Sequence, residues 1–176
     1  AAQMERCFEH NIHRLFLPNV NSESIAAVMN TVAAYPQNCF PMLGLHPCDV
    51  KGNYEAELAK IYAALQQHEV YAIGEIGLDL YWDKSTLAIQ IDAFRQQVQW
   101  AKARNLPIDI HCREAFDELF VLLEELKDDK LFGVLHCFTG NLDQAQQAID
   151  LGFALGIGGV VTYKKSSLPS ALAAVP

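Results

Sequence analysis

The sequence has no uninterrupted apolar run near the roughly 18 residues that a membrane-spanning helix needs. Its most apolar stretch, Leu151 to Tyr163, is shorter and is broken by Gly152, Gly156, Gly158 and Gly159. Residues 1–6 do not show basic residues followed by an apolar stretch, the pattern of a secretory leader. There is no Cys-x-x-Cys pair, and the five cysteines (Cys7, Cys39, Cys48, Cys112, Cys137) are odd in number. That argues against a disulfide framework and for free thiols in a reducing compartment. These absences lead to the expectation of a soluble, cytoplasmic protein with no membrane contact and no evident obligate protein partner.

Positive charge is also scarce. The 13 Lys and Arg face 21 Asp and Glu, a net charge of −8. A surface of that sign exerts no long-range pull on polyphosphate, so contact with nucleic acid requires a local basic patch or a bound cation. The 176 residues contain no linker or low-complexity segment, and 51% hydrophobic against 19% charged residues excludes disorder. The expectation is a single domain over residues 1–176.

What is present is one repeating pattern: a short apolar run, a polar residue or glycine closing it, a loop, then an amphipathic helix. The expected strands are Ile12–Leu17, Phe40–Leu45, Val70–Glu75, Pro107–His111, Phe132–Cys137 and Phe153–Ile157. Each is nearly all apolar, as strands covered on both faces of a parallel sheet are. Between them, Asn21 or Ser22 caps a helix that Pro36 ends, and Asn141 caps a helix that Gly152 stops. The longest helix, Leu87–Arg104, aligns Ile91, Phe94, Val98 and Ala101 on one stripe. Alternating units of this kind build a parallel α/β sheet with right-handed crossovers. Six strands fit an open sheet; a first helix at Ala2–Glu9 with no strand before it also fits a (β/α)₈ barrel without its first and last strands.

Polar residues cluster at the strand ends, in Gly74-Glu75-Ile76-Gly77-Leu78-Asp79, Ile110-His111-Cys112-Arg113-Glu114 and Leu135-His136-Cys137-Phe138-Thr139-Gly140. A fourth strand ends Gly44-Leu45-His46-Pro47. Neighbouring parallel strands lie about 4.8 Å apart, so side chains at matching ends converge, at the edge where such folds bind ligands. Glu75, His111 and His136 supply two imidazoles and a carboxylate, the donor set of a catalytic divalent-metal site with room for water. Zn²⁺, Mn²⁺ and Mg²⁺ are all candidates for it. Taken singly, each residue also reads as an ordinary hydrogen-bonded or solvated loop residue; three on successive strands favour the metal.

These four segments resemble signatures of the TatD-related metal-dependent hydrolases, in matching order and spacing. Gly156-Ile157-Gly158-Gly159 with Thr162-Tyr163 resembles a fifth. The resemblance covers nearly the whole chain. It implies a TIM barrel, of which this chain is the central portion, and a hydrolase of phosphodiester bonds, commonly a metal-dependent deoxyribonuclease with nucleic acid, DNA above all, as substrate. By the same resemblance Glu75 bridges two metals, and His111 and His136 complete the second. The family's opening His-x-His and its late metal-binding Asp have no counterpart here. His10-Asn11-Ile12-His13 lies where a strand begins, at the stability end of a barrel, and reads as structural.

Several further residues have two readings. Asp109 shares a side with His111 and is placed to orient it through its second nitrogen, or is a buried acid held by unrelated donors. Arg113 holds a substrate phosphate or makes a surface ion pair. Thr162 and Lys164, after Gly158-Gly159, bind phosphate or belong to a tight turn. His46 contacts the site without ligating the metal, and Asp79 either protonates the leaving group or pins its loop. Cys112 and Cys137 read as core residues. Two alternatives to the nuclease stand beside it: a metal-binding but catalytically silent fragment, and a hydrolase of small-molecule amides, esters or lactones.

Overall fold

A computed structural model describes residues 2–176. Helix α1 (Ala2–Glu9) leads into strand β1 (Leu15–Pro18), followed by α2 (Ile25–Ala34), β2 (Cys39–Leu43), α3 (Tyr54–Leu65) and β3 (Ala72–Asp79). The pattern continues through α4 (Leu87–Arg104), β4 (Ile108–Arg113), α5 (Phe116–Leu126), β5 (Gly133–Leu135), α6 (Leu142–Asp150), β6 (Phe153–Leu155) and α7 (Leu168–Leu172). The six strands form one sheet, all parallel, each paired with the next in sequence.

That order separates the two architectures left open by the sequence. A doubly wound sheet reverses its strand order at a switch point. Here the order never reverses, so right-handed crossovers stack every helix on one face, as in a TIM-type barrel. Among the described residues β1 and β6 are not joined to each other, and the barrel is open.

Local signals account for most helix bounds. Asn141 caps α6 in a reciprocal arrangement with Gln144, and Asn21 does the same with Ser24 in the 3₁₀ turn before α2. The strands depart further from expectation. β1 begins at Leu15 rather than Ile12, β5 stops at Leu135 before His136 and Cys137, and β3 runs on to Asp79. His13 instead stacks on Phe8 in the approach to β1.

The helix-facing side of the sheet is the core. Ile73, Ile76, Leu78, Ile108 and Ile110 are fully buried there, against Phe94, Val98 and Ala101 of α4. The other side of β3 and β4 carries the polar residues, and an irregularity in β3 decides which ones. Gly74 pairs with Asp109, but Ile76 pairs with Ile110, so Glu75 is an extra residue bulged out of the ladder. Simple alternation would put Gly77 and Asp79 on the side of Ile73. Past the bulge they share the side of Asp109, His111 and Arg113, with Gly77 opposite His111 and Asp79 opposite Arg113.

Close approach of the two strands depends on glycine. A β-carbon on Gly77, whose φ is +148°, would lie 1.9 Å from the carbonyl oxygen of His111. One on Gly74 would lie 2.5 Å from the β-carbon of Asp109. The Gly74–Glu75 peptide within the bulge is cis.

Candidate metal centre

His111 is the hub. Its Nδ1 lies 3.2 Å from Glu75 Oε1 and its Nε2 lies 2.8 Å from Asp79 Oδ2. Both nitrogens face carboxylates, an arrangement that favours the imidazolium over the neutral ring. Burial alone would lower the His111 pKa, but the hydrogen bonds and fields of Glu75 and Asp79 prevail and raise it. Burial likewise pushes Glu75 up, yet the His111 hydrogen bond and the fields of His136 and His46 bring it below its ordinary value. Asp79 is lowered too, because His111 and the Tyr81 N–H outweigh its burial. A metal ion bound at His111 would take the place of a proton.

His136 stands just past β5, its N–H donating to the Ile110 carbonyl at 2.7 Å. The next residue, Cys137, has φ +43° and turns the chain sharply away. His136 Nδ1 lies 3.7 Å from Asp109 Oδ2, a buried oxygen with no hydrogen-bond partner. Burial raises the Asp109 pKa to about 6, against the lowering field of His136. Expected beneath His111, Asp109 thus faces His136, and Asp79 occupies the position at the second nitrogen of His111. Cys137, expected in the core, is exposed, with Sγ 3.3 Å from His136 Nε2.

His46 packs edge-on against His111, ring centroids 4.4 Å apart. Its Nδ1 accepts the Cys48 N–H at 3.2 Å, which leaves the proton of the neutral ring on Nε2. Burial and the nearby His111 lower its pKa, favouring that neutral form. Among the described residues the one group of three donors with ligating atoms all within 4.8 Å of one another is His46, Cys48 and His111. Glu75, His111 and His136 do not draw together that closely, although Glu75 touches His111 and His136 faces the layer beneath.

Three polar residues that the sequence reading passed over hold this edge in place. Gln90 of α4 clamps the Asp79 backbone, accepting its N–H at 2.8 Å and donating to its carbonyl at 3.0 Å. Gln97, two turns on, accepts the Leu45 N–H at 2.6 Å, just before His46. Asn19 accepts the Gly44 N–H at 2.8 Å. Two glutamines seven apart on the buried stripe of a long helix were the available signal, since unpaired amides are costly there.

The remaining candidates lie further out. Arg113 places its guanidinium 3.5 Å over the Tyr81 ring. The exposed Thr162 donates its hydroxyl to the Gly159 carbonyl at 2.7 Å, closing the turn, and Lys164 is exposed beyond it. Gly158 of this loop packs against Cys137.

The donor chemistry fits a divalent cation. Imidazoles and carboxylates meet in a half-buried cluster, and the buried Oδ2 of Asp109 has no hydrogen-bond partner.

The family model described as TatD related DNase matches residues 1–176. The chain belongs to the TatD-related DNase family. It is 35% identical over 166 residues to the uncharacterized metal-dependent hydrolase YabD of Bacillus subtilis, covering 94% of this chain and 65% of that protein. It is also 35% identical over 163 residues to the 3′-5′ ssDNA/RNA exonuclease TatD of Salmonella typhimurium, covering 93% of this chain and 62% of that protein. The crystal structure of the Escherichia coli TatD homolog YjjV superposes with a TM-score of 0.90 at 30% identity, over 99% of this chain and 68% of that one. The chain thus spans just under two thirds of the length of YabD and TatD.

Proposed function

We propose that this chain provides the Glu-His-His side of a divalent-metal site that hydrolyses phosphodiester bonds in single-stranded nucleic acid, DNA foremost. The observation that carries the reading is His111 held between Glu75 and Asp79 at the C-terminal edge of β3 and β4. The name of the TatD exonuclease relative supports the substrate class. Glu75, His111 and His136 would hold the cation. Its chemistry there is Lewis acidity, which activates water near neutral pH and offsets charge on the phosphate oxygens.

The chain's own residues have distinct tasks in this reading. Asp79 fixes the ring of His111, and Asp109 lies behind His136; carboxylates behind ligating histidines orient them and raise their basicity. Asp79 is buried, bonded to His111 and Tyr81, and held ionised, so it acts as a positioning group and not as the leaving-group acid. His46, neutral with its proton on Nε2, offers a hydrogen bond to the substrate from the side wall.

The test is cleavage of a single-stranded DNA oligonucleotide by the whole protein with Mn²⁺ or Mg²⁺, beside Glu75→Gln. Shortened products are expected, with a loss on the order of a hundredfold or more in the variant. Equal cleavage by Glu75→Gln would remove Glu75 from the site. Ester or amide hydrolysis without any DNA cleavage would assign the site to small molecules.

A further inference from the structure

We infer that Tyr81, Trp82 and Arg113 form a stacking platform that receives a nucleobase of a single-stranded nucleic acid beside the metal centre. This inference rests on the phosphodiesterase reading and adds to it how the strand is gripped.

Trp82 is 72% exposed and Tyr81 46% exposed, unusual for large aromatic rings next to a buried polar site. Their ring centroids lie 4.8 Å apart at an interplanar angle of 89°, so the pair presents two faces at a right angle. The Arg113 guanidinium covers Tyr81 at 3.5 Å and lies 5.7 Å from the Trp82 centroid. The group is also tied to the site. Tyr81 donates its N–H to Asp79 Oδ1 at 3.0 Å, and Leu80 donates its N–H to the Arg113 carbonyl at 3.0 Å. Arg113 shares its side of β4 with His111. A base laid on this surface therefore sits next to the residues proposed to hold the cation.

The chemistry selects the occupant. Aromatic faces combined with arginine bind single strands by stacking, which tolerates any base because every base has a π face. A chain of net charge −8 obtains little affinity from long-range attraction, so short-range stacking must supply it. Arg113, already committed to Tyr81, stiffens the platform instead of reaching alone for phosphate.

The experiment compares an oligonucleotide with the same strand carrying abasic positions at its reactive end, cleaved by the whole protein and by Trp82→Ala and Trp82→Phe. Trp82→Ala is expected to lower the preference for the intact strand about tenfold, mainly through KM, the size of one stacked base. Trp82→Phe should restore most of it. Binding is read independently in EDTA with Trp100→Phe, which leaves Trp82 the only tryptophan, since Trp100 packs on Tyr62 of α3. The intact strand should quench Trp82 fluorescence, weakly dependent on salt, and the abasic strand should not. An unchanged preference in Trp82→Ala, with DNA still cleaved, overturns the platform alone. Absence of both cleavage and quenching overturns the phosphodiesterase reading with it.

Discussion

Asp79 Oδ2 lies 2.8 Å from Nε2 of His111, on a carboxylate that reaches this side of the sheet because Glu75 is bulged out of β3. The contact raises the His111 pKa. Asp79→Asn should therefore lower it, read from the imidazole proton shifts of metal-free protein titrated by NMR. The sign for stability follows. A raised histidine contributes stability fully below its unfolded value and loses it as pH rises through the folded value. The variant should thus be less stable than wild type under mildly acidic conditions, and the gap should narrow as pH rises. A His111 that titrates unchanged in Asp79→Asn would contradict this.

Asp109 behaves in the opposite way to a salt-bridged acid. Its pKa is raised to about 6 because burial outweighs the field of His136. The native state holds its proton longer than the unfolded chain, so its ionisation costs stability as pH rises from the unfolded value to about 6. Asp109→Asn should match wild type in acid and exceed it above that pH, by on the order of 2 kcal/mol without metal. Urea unfolding at two pH values checks it. The same variant should bind Mn²⁺ about 10–100-fold more weakly.

Gln90 holds both backbone groups of Asp79. Gln90→Leu keeps the volume but leaves a buried N–H and carbonyl unpaired, a cost of about 1–3 kcal/mol. Metal affinity should fall as well, because Asp79 is no longer fixed behind His111. A variant with wild-type unfolding and wild-type calorimetric metal binding would show that the clamp is dispensable.

Gly77 has no room for a methyl group. The added carbon would meet the His111 carbonyl oxygen at 1.9 Å, at a φ that side chains rarely adopt. Gly77→Ala should cost about 3 kcal/mol or more, since backbone strain and a forced strand separation combine. A thermal melt shifted by less than a few degrees would overturn this reading.

Metal addition should stabilise the chain in a pH-dependent way. Ligands must shed protons first, and the carboxylates beside His111 make it hold its proton beyond the ordinary range. At a hundredfold excess over Kd the gain is about 2.7 kcal/mol. The rise in Tm with Zn²⁺ or Mn²⁺ should shrink towards acid pH and vanish with EDTA.

The amino-acid sequence by itself determined the alternation of strands and helices, the span of α4 from Leu87 to Arg104, the capping of α6 by Asn141, and the convergence of His111 and Glu75 on one edge. These follow from local spacing, cap chemistry and strand-end position, all of which are carried within a few residues. The tertiary structure decided what depends on a neighbour. The bulge at Glu75 exists only in the register of β3 against β4, and it sends Asp79 to His111 and leaves Asp109 to His136. The end of β5 before His136, the left-handed turn at Cys137 and the stacking of Arg113 on Tyr81 likewise arise from contacts between segments. Side-chain period along one strand cannot foresee an extra residue in the ladder, because a single bulge reverses which face every later residue takes.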